Sequence, residues 1–398
     1  MRAVVYRGIE RVEVAEVPDA VLVEPSDAIV RVALTAICGS DLHLYHGKAP
    51  LEPGDTIGHE AIGVVDAVGS SVKRFAPGDR VVVSFDIACG DCWFCRKGQT
   101  QLCEDFGFLG YGVFGGSLGG AQAELLRVPV ADVNLLAVPE GLEDDRALFV
   151  GDALTTGVYA AGLAEIHDGD VVAIVGAGPV GFFCAQAALP SAASVLALDL
   201  DPSRLSIAER IGAIPVDVSA RNAQTAVDEH TQGRGADVVI EAVGTPAAFE
   251  RSVDIVRRGG TVVVMGVYTS EVVQAQIGVW WVRALQIRFA GTTPVHAWWK
   301  HAMAEVEAGR LDPLPIVSHR RPLGDAVVRG RGHRGSDPRL RGRRAGHVHA
   351  LRHGGIGGQL VHALAVIEGN ASFQPLESIL RGALDDLRLI IDSSDPVE

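Results

Sequence analysis

The sequence predicts an α/β protein joined to an all-β domain: a barrel-like unit first, a doubly wound parallel sheet after it, and an atypical C-terminal tail. Three observations carry this expectation. Short β-type runs punctuated by Gly and Pro fill residues 1–150. From 151 to 290, nearly all-apolar runs alternate with helical stretches, as strands covered on both faces require. Within the first of these textures lies CGDCWFCRKGQTQLC, with Cys89, Cys92, Cys95 and Cys103 in one short segment.

The N-terminal stretch MRAVVYRGIERVEV alternates like a strand and lacks the apolar core of a signal peptide. Runs at 28–34, 61–68 and 80–83 are expected to be barrel strands. In the cysteine segment, Cys-x2-Cys-x2-Cys sets three thiolates on consecutive tight turns, and Cys103 returns after a seven-residue loop. Zinc favours the resulting tetrahedron, and four filled positions leave no place for water or substrate. A structural zinc lobe is expected, with a disulfide knot or an iron–sulfur cluster as alternatives.

VVAIVG, SVLALDL, ADVVIEAVG and GTVVVMG are the expected parallel strands. The first runs into Gly176-Ala177-Gly178-Pro179-Val180-Gly181 and then an apolar helix. Gly176 permits the tight turn, Gly178 lets backbone approach a pyrophosphate, and Gly181 allows close helix–strand packing. Asp199 ends the next strand, where a carboxylate accepts hydrogen bonds from ribose hydroxyls and repels a 2′-phosphate. NAD is therefore expected over NADP; the plainer reading of Asp199 is a strand-end turn residue. A helix is expected over 297–308, in a segment (291–328) that returns to the first domain.

The formal charge of −14 argues against a nucleic-acid partner. Residues 329–358 hold eight Arg and one Asp, so the remainder sums to −21. No apolar run is long enough to cross a bilayer. Six cysteines without an export signal point to a reducing compartment, the cytoplasm.

Cys38 lies in ICGSDLHLYHG, His59 and Glu60 in IGHEAIG, and Asp152 in LFVGDALTTG at the domain junction. A lone buried Cys or His is ordinarily packing. Beside a zinc lobe and a dinucleotide motif, three such residues suggest a second zinc with three protein ligands and an open position. An ion held so would act as a Lewis acid on an alcohol oxygen next to the nicotinamide.

GHE, the four-cysteine lobe, GDRV at Gly78–Val81 and GAGPVG occur in the order found in the zinc-dependent medium-chain alcohol dehydrogenase family, which residues 1 to about 325 resemble. The resemblance implies a GroES-like catalytic domain (1–150), a Rossmann NAD-binding domain (151–290), and two zinc ions per chain. Cys38, His59 and Asp152 would hold the catalytic ion, with Glu60 an adjacent acid that exchanges with water. Ser40 and His43 would form a proton relay; the plainer readings are a turn hydroxyl and a surface imidazole. Arg204 would join Asp199 at the cofactor, and Phe85 would wall the pocket or simply fill core. The substrate would be a small alcohol or aldehyde hydrate and the assembly a homodimer or homotetramer. An acid at 152, with GGAQAELLRVPVADVNLLAVPEG, is similar to the formaldehyde-dehydrogenase-like branch.

Relatives end with a helix and strand that complete the catalytic domain. Here residues 329–398 form a foreign or disordered tail: Arg, Gly and His supply 21 of the 30 residues from 329 to 358. A basic nucleic-acid tail, disorder, or translation out of the ancestral frame would each give this texture. HGGIGGQLVHALAVIE and LESILRGALDDLRLIIDSSDP then resemble the two helices of a sensor histidine-kinase dimerisation module, with His353 at the phospho-acceptor position and Gly354 after it. The expectations are two C-terminal helices, an unpaired edge on the catalytic sheet, and an alternative role as an inactive body with a scaffold or signalling function.

Overall fold

Strands β1 (Arg2–Gly8) and β2 (Arg11–Glu16) pair as an antiparallel hairpin, as the alternating N-terminal stretch requires. The computed structural model describes residues 1–269, 272–325 and 364–368. β3 (Ala28–Ala36), β4 (Ala61–Val68) and β5 (Arg80–Val83) coincide with the expected barrel strands, β3 running two residues further. β6 (Asp86–Ile87) pairs with β7 (Gly107–Phe108) around the cysteine lobe. β8 (Leu125–Val128) and β9 (Leu135–Ala137) close this half.

The second sheet holds β10 (Val171–Val175), β11 (Ser194–Asp199), β12 (Ile214–Asp217), β13 (Ala236–Glu241), β14 (Val256–Val264) and β15 (Gln286–Phe289). All pair in parallel, in the order β12-β11-β10-β13-β14-β15. Val, Ile and Ala fill β10 and most of β13, and every residue of both is buried, because helices lie on each face. Strand order reverses between β10 and β13, so a crevice opens beyond their carboxyl ends, where such sheets take ligands.

The helix Val295–Glu307 returns the chain to the first half, two residues earlier than expected. Its Val295, Trp299 and Met303 join Phe85, Phe149, Phe182 and Phe183 in one core that packs the first sheet against the helices Ala153–Ala164 and Pro179–Ala188. Asp152 sits at this seam. On the far edge, Ile277, Trp281, Val282 and Phe289 are exposed around β15. Among the described residues no single helix is long and apolar enough to cross a membrane.

The tail corrects one expectation. β16 (Val317–Pro322) and β17 (Leu364–Glu368) lie side by side, and β17 also pairs antiparallel with Leu34–Ala36 of β3. The catalytic sheet edge is therefore paired, and LAVIE is a strand rather than helix. The reason is local: four apolar residues, two of them β-branched, and Glu368 lie extended between β3 and β16, and pairing with both outweighs weak helical periodicity. His353 and the second expected helix lie outside the described residues.

Candidate active site and metal centres

Cys38 is the N-cap of the short helix Gly39–Tyr45, and its backbone N–H donates to Asp41 Oδ2 at 2.9 Å. That capping box turns Cys38, Ser40 and Asp41 toward the GHE loop. The ligand atoms of Cys38, His59 and Asp152 lie within 4.8 Å of one another. His59 Nε2 is 3.2 Å from Asp152 Oδ2, while Asp41 Oδ1 is 3.1 Å from His59 Nδ1. A carboxylate there keeps the proton on Nδ1 and leaves Nε2 free to ligate. Asp41 was not among the residues expected from sequence; its signal is an acid three residues after Cys38, the capping-box spacing.

Glu60 is fully buried; Oε1 accepts from the Ala153 backbone N–H at 3.3 Å, and Oε2 has no hydrogen-bond partner among the described residues. Burial, then the charge of Asp152, push its pKa up to about 8. The Cys38 thiol is raised by the same two causes in the same order. His59 is raised well above its ordinary value: burial opposes this, but Asp41, Asp152 and Cys38 outweigh it. A sulfur, an imidazole and carboxylates crowded in a dry seam form a donor set that a divalent cation satisfies. The residues fit a zinc ion with one open position.

The Ser40 hydroxyl is 3.2 Å from His59 Nε2. His43 lies half-buried in the last turn of the same helix. The structure thus brings Ser40 to the metal cluster and sets His43 one helical turn away. Phe85 is buried beside the cluster, its ring 6.3 Å from that of His59.

The cysteine lobe is similarly assembled. Cys89, Cys92, Cys95 and Cys103 are free thiols with sulfurs all within 4.8 Å of one another, so no disulfide knot forms. Cys89 Sγ and Cys95 Sγ are 4.0 Å apart, against about 3.8 Å for a tetrahedron with 2.3 Å zinc–sulfur bonds. Backbone N–H groups point at the sulfurs: Cys89 to Cys103 at 3.2 Å and Cys92 to Cys89 at 3.3 Å. Such donors favour thiolate, and those of Cys95 and Glu104 bring Cys92 down to about 6.

At the crevice, Gly176 has φ +96°, and a Cβ on Gly181 would stand 1.8 Å from the Gly176 carbonyl. Only glycines close this turn. Gly178 caps the helix Pro179–Ala188, and Pro179 and Val180 open it. Asp199 is 9% exposed; Oδ2 accepts from the Ala177 N–H at 2.7 Å, and Arg204 Nη1 lies 3.2 Å away. Asp199 therefore clamps the glycine loop.

A second buried polar cluster lies behind Phe85. Asp86 is fully buried; Oδ1 accepts from Ser84 Oγ at 2.7 Å, and Oδ2 has no partner among the described residues. His296 Nδ1 is 3.9 Å from Asp86 Oδ1, and its Nε2 lies 2.8 Å from Asn134 Oδ1. Burial raises Asp86 to about 7 and lowers His296 to about 4, so each favours its neutral form more than it would in water.

Residues 24–140 match the alcohol dehydrogenase GroES-like domain and residues 179–307 the zinc-binding dehydrogenase domain. An uncharacterized zinc-type alcohol dehydrogenase-like protein AdhB of Bacillus subtilis is 37% identical, over 82% of this chain and 94% of its own. The solved alcohol dehydrogenase TADH from Thermus sp. ATN1 superposes with TM-score 0.78 at 44% identity, over 82% of this chain and 94% of that one. A zinc-binding dehydrogenase structure from Sinorhizobium meliloti, bound to NADP, gives TM-score 0.75 at 28% identity over 92% of this chain and 98% of its own. With the donor sets and the crevice, these likenesses establish that the chain belongs to the zinc-dependent medium-chain alcohol dehydrogenase family.

Proposed function

We propose that this oxidoreductase transfers a hydride between an alcohol, or an aldehyde hydrate, and NAD. The single observation carrying this is the convergence of Cys38, His59 and Asp152 at the seam between the barrel and the dinucleotide crevice. Zinc there would supply Lewis acidity toward the alcohol oxygen, and the nicotinamide would supply the hydride acceptor.

The chain's own residues do the rest. Asp41 fixes the His59 tautomer. Glu60 stands behind the cluster with a free carboxyl oxygen. Ser40 takes the hydroxyl proton, and His43 passes it toward solvent. Loss of that proton and of one hydride leaves the carbonyl product. Gly176, Gly178, Pro179, Val180 and Gly181 cradle the pyrophosphate at a helix start, and Asp199 with Arg204 holds the ribose. The Asp199 carboxylate supports NAD over NADP by charge repulsion. Residues 89–103 form the structural zinc lobe.

The acid at Asp152 supports a formaldehyde-dehydrogenase-like branch. The exposed apolar edge around β15 supports a homo-oligomer, since such patches mark association sites. A cytoplasmic location fits the free thiols. The alternative of an inactive body fused to a kinase-type dimerisation fragment rests on residues outside the described ones, and the assembled donor set speaks against it. Absorbance at 340 nm with NAD and an alcohol panel tests the proposal. No NADH from any alcohol, with both metal sites filled, overturns it.

A further inference from the structure

Asp152 stands at the N-cap of the helix Ala153–Ala164, where an aspartate ordinarily accepts from the backbone N–H two or three residues on. Here it makes no such bond, and the Ala153 N–H goes instead to Glu60. The Asp152 carboxylate is thereby left to the metal cluster. Its Oδ2 faces His59 Nε2 at 3.2 Å, while Oδ1 accepts from Thr156 Oγ1 at 3.3 Å. Thr155, next along the helix, is spent elsewhere, donating to the Val150 carbonyl at 2.6 Å.

Thr156 is in turn backed from the dinucleotide half of the chain. Its Oγ1 lies 2.8 Å from that of Thr293, on the loop between β15 and the helix Val295–Glu307, and both threonines are buried. Thr156 is the one hydrogen-bond partner of the Thr293 hydroxyl among the described residues. That sets the direction of the chain. If Thr156 donated to Thr293, the Thr293 proton and Asp152 Oδ1 would both lose their partner, which burial penalises. Thr293 therefore donates to Thr156, and Thr156 to Asp152 Oδ1.

A carboxylate ligand poses a problem that a sulfur or an imidazole does not: it carries two oxygens, and both can close on one cation. A second oxygen on the ion would take the position an alcohol needs. We propose that Thr156, backed by Thr293, restricts Asp152 to ligation through Oδ2 and so keeps the fourth position of the metal centre open for substrate. Both threonines are positioning residues that act through Asp152. The proposal rests on the dehydrogenase reading above for the ion and its open position.

The test reads coordination as well as turnover. In full-length, zinc-loaded protein, cobalt is exchanged into the Cys38/His59/Asp152 site alone, the four-thiolate lobe keeping its zinc. Visible absorption of cobalt weakens when a fifth ligand is added to a tetrahedral site, so Thr156→Val should lower it about twofold or more at unchanged cobalt content. Imidazole, a one-atom ligand for the open position, should bind that variant about tenfold more weakly in calorimetry, and kcat should fall about tenfold. Thr156→Ser, which keeps the donor, should retain the wild-type spectrum and imidazole affinity. Thr293→Val should shift both in the direction of Thr156→Val but by less, and it carries the test if Thr156→Val fails to fold. A wild-type spectrum and imidazole affinity in Thr156→Val overturn the proposal, whatever its stability, since the pair then only fills core. Cobalt lost from Thr156→Val overturns it too, because the hydroxyl would then support binding itself. Absence of NADH from every alcohol, with the spectral change present, overturns the dehydrogenase reading and leaves this assignment standing.

Discussion

Asp86→Asn should make the protein more stable, and the gain should grow with pH. Burial raises the Asp86 pKa from 3.8 to about 7, so the folded carboxyl keeps its proton up to about neutral pH. A group whose folded pKa is raised stabilises the fold fully below its unfolded pKa, and that contribution is lost as pH rises through the folded value. Between pH 4 and 7 the folded chain keeps a proton that the unfolded chain has released. Each pH unit costs about 1.4 kcal/mol, so the roughly three-unit window is worth about 4 kcal/mol. The substituted amide would be neutral at every pH and could still accept from Ser84, so this slope disappears. His296, lowered to about 4, carries a slope of opposite sign between pH 4 and 6.5, but it is common to both proteins and cancels in their difference. Denaturant unfolding of both zinc-loaded proteins from pH 4.5 to 8.5 reads that difference directly. It should open by about 1.4 kcal/mol per unit and level off above pH 7. Parallel curves across that range would refute the reasoning, whatever constant offset separates them.

The metal and cofactor sites carry their own expected outcomes. Freshly purified protein should hold two zinc ions per chain, and a chelator should strip the Cys38/His59/Asp152 ion first, because the four-thiolate lobe is closed; elemental analysis checks both. Asp199→Gly should shift preference toward NADP by removing repulsion of the 2′-phosphate, at some loss of loop order since Ala177 loses its acceptor; the ratio of kcat/KM for the two cofactors measures it. His43→Ala should lower turnover about 10- to 100-fold near neutral pH with NAD affinity unchanged, and added buffer base should restore part of it. Asp41→Asn should weaken zinc binding about tenfold or more by releasing the His59 tautomer, read by competition with a chromophoric chelator.

How far the sequence alone reaches depends on the range of each signal. The cysteine lobe and the glycine loop were legible because their geometry is written within 15 residues or fewer. Cys38, His59 and Asp152 could be named as candidates, but only the fold shows that their donor atoms converge. Asp41 carries a local signal, the capping-box spacing, yet that spacing speaks of a helix start and says nothing of the His59 ring it orients. The Asn134–His296 contact joins residues 162 apart, a pairing no local pattern carries. The approach of His296 to Asp86 joins residues from distant segments, a tertiary event.

The slot filled by β17 has a consequence for how this chain tolerates change at its end. Strand addition is read through N–H and C=O groups, which every residue but proline offers alike. Between β3 and β16 the sheet thus asks for a short run able to lie extended, and LAVIE supplies it from a tail of otherwise alien composition. Backbone pairing makes that position permissive: many unrelated pentapeptides would complete the barrel. A lineage could therefore rewrite its terminus wholesale, by a slipped reading frame or a fusion, and still inherit a closed sheet.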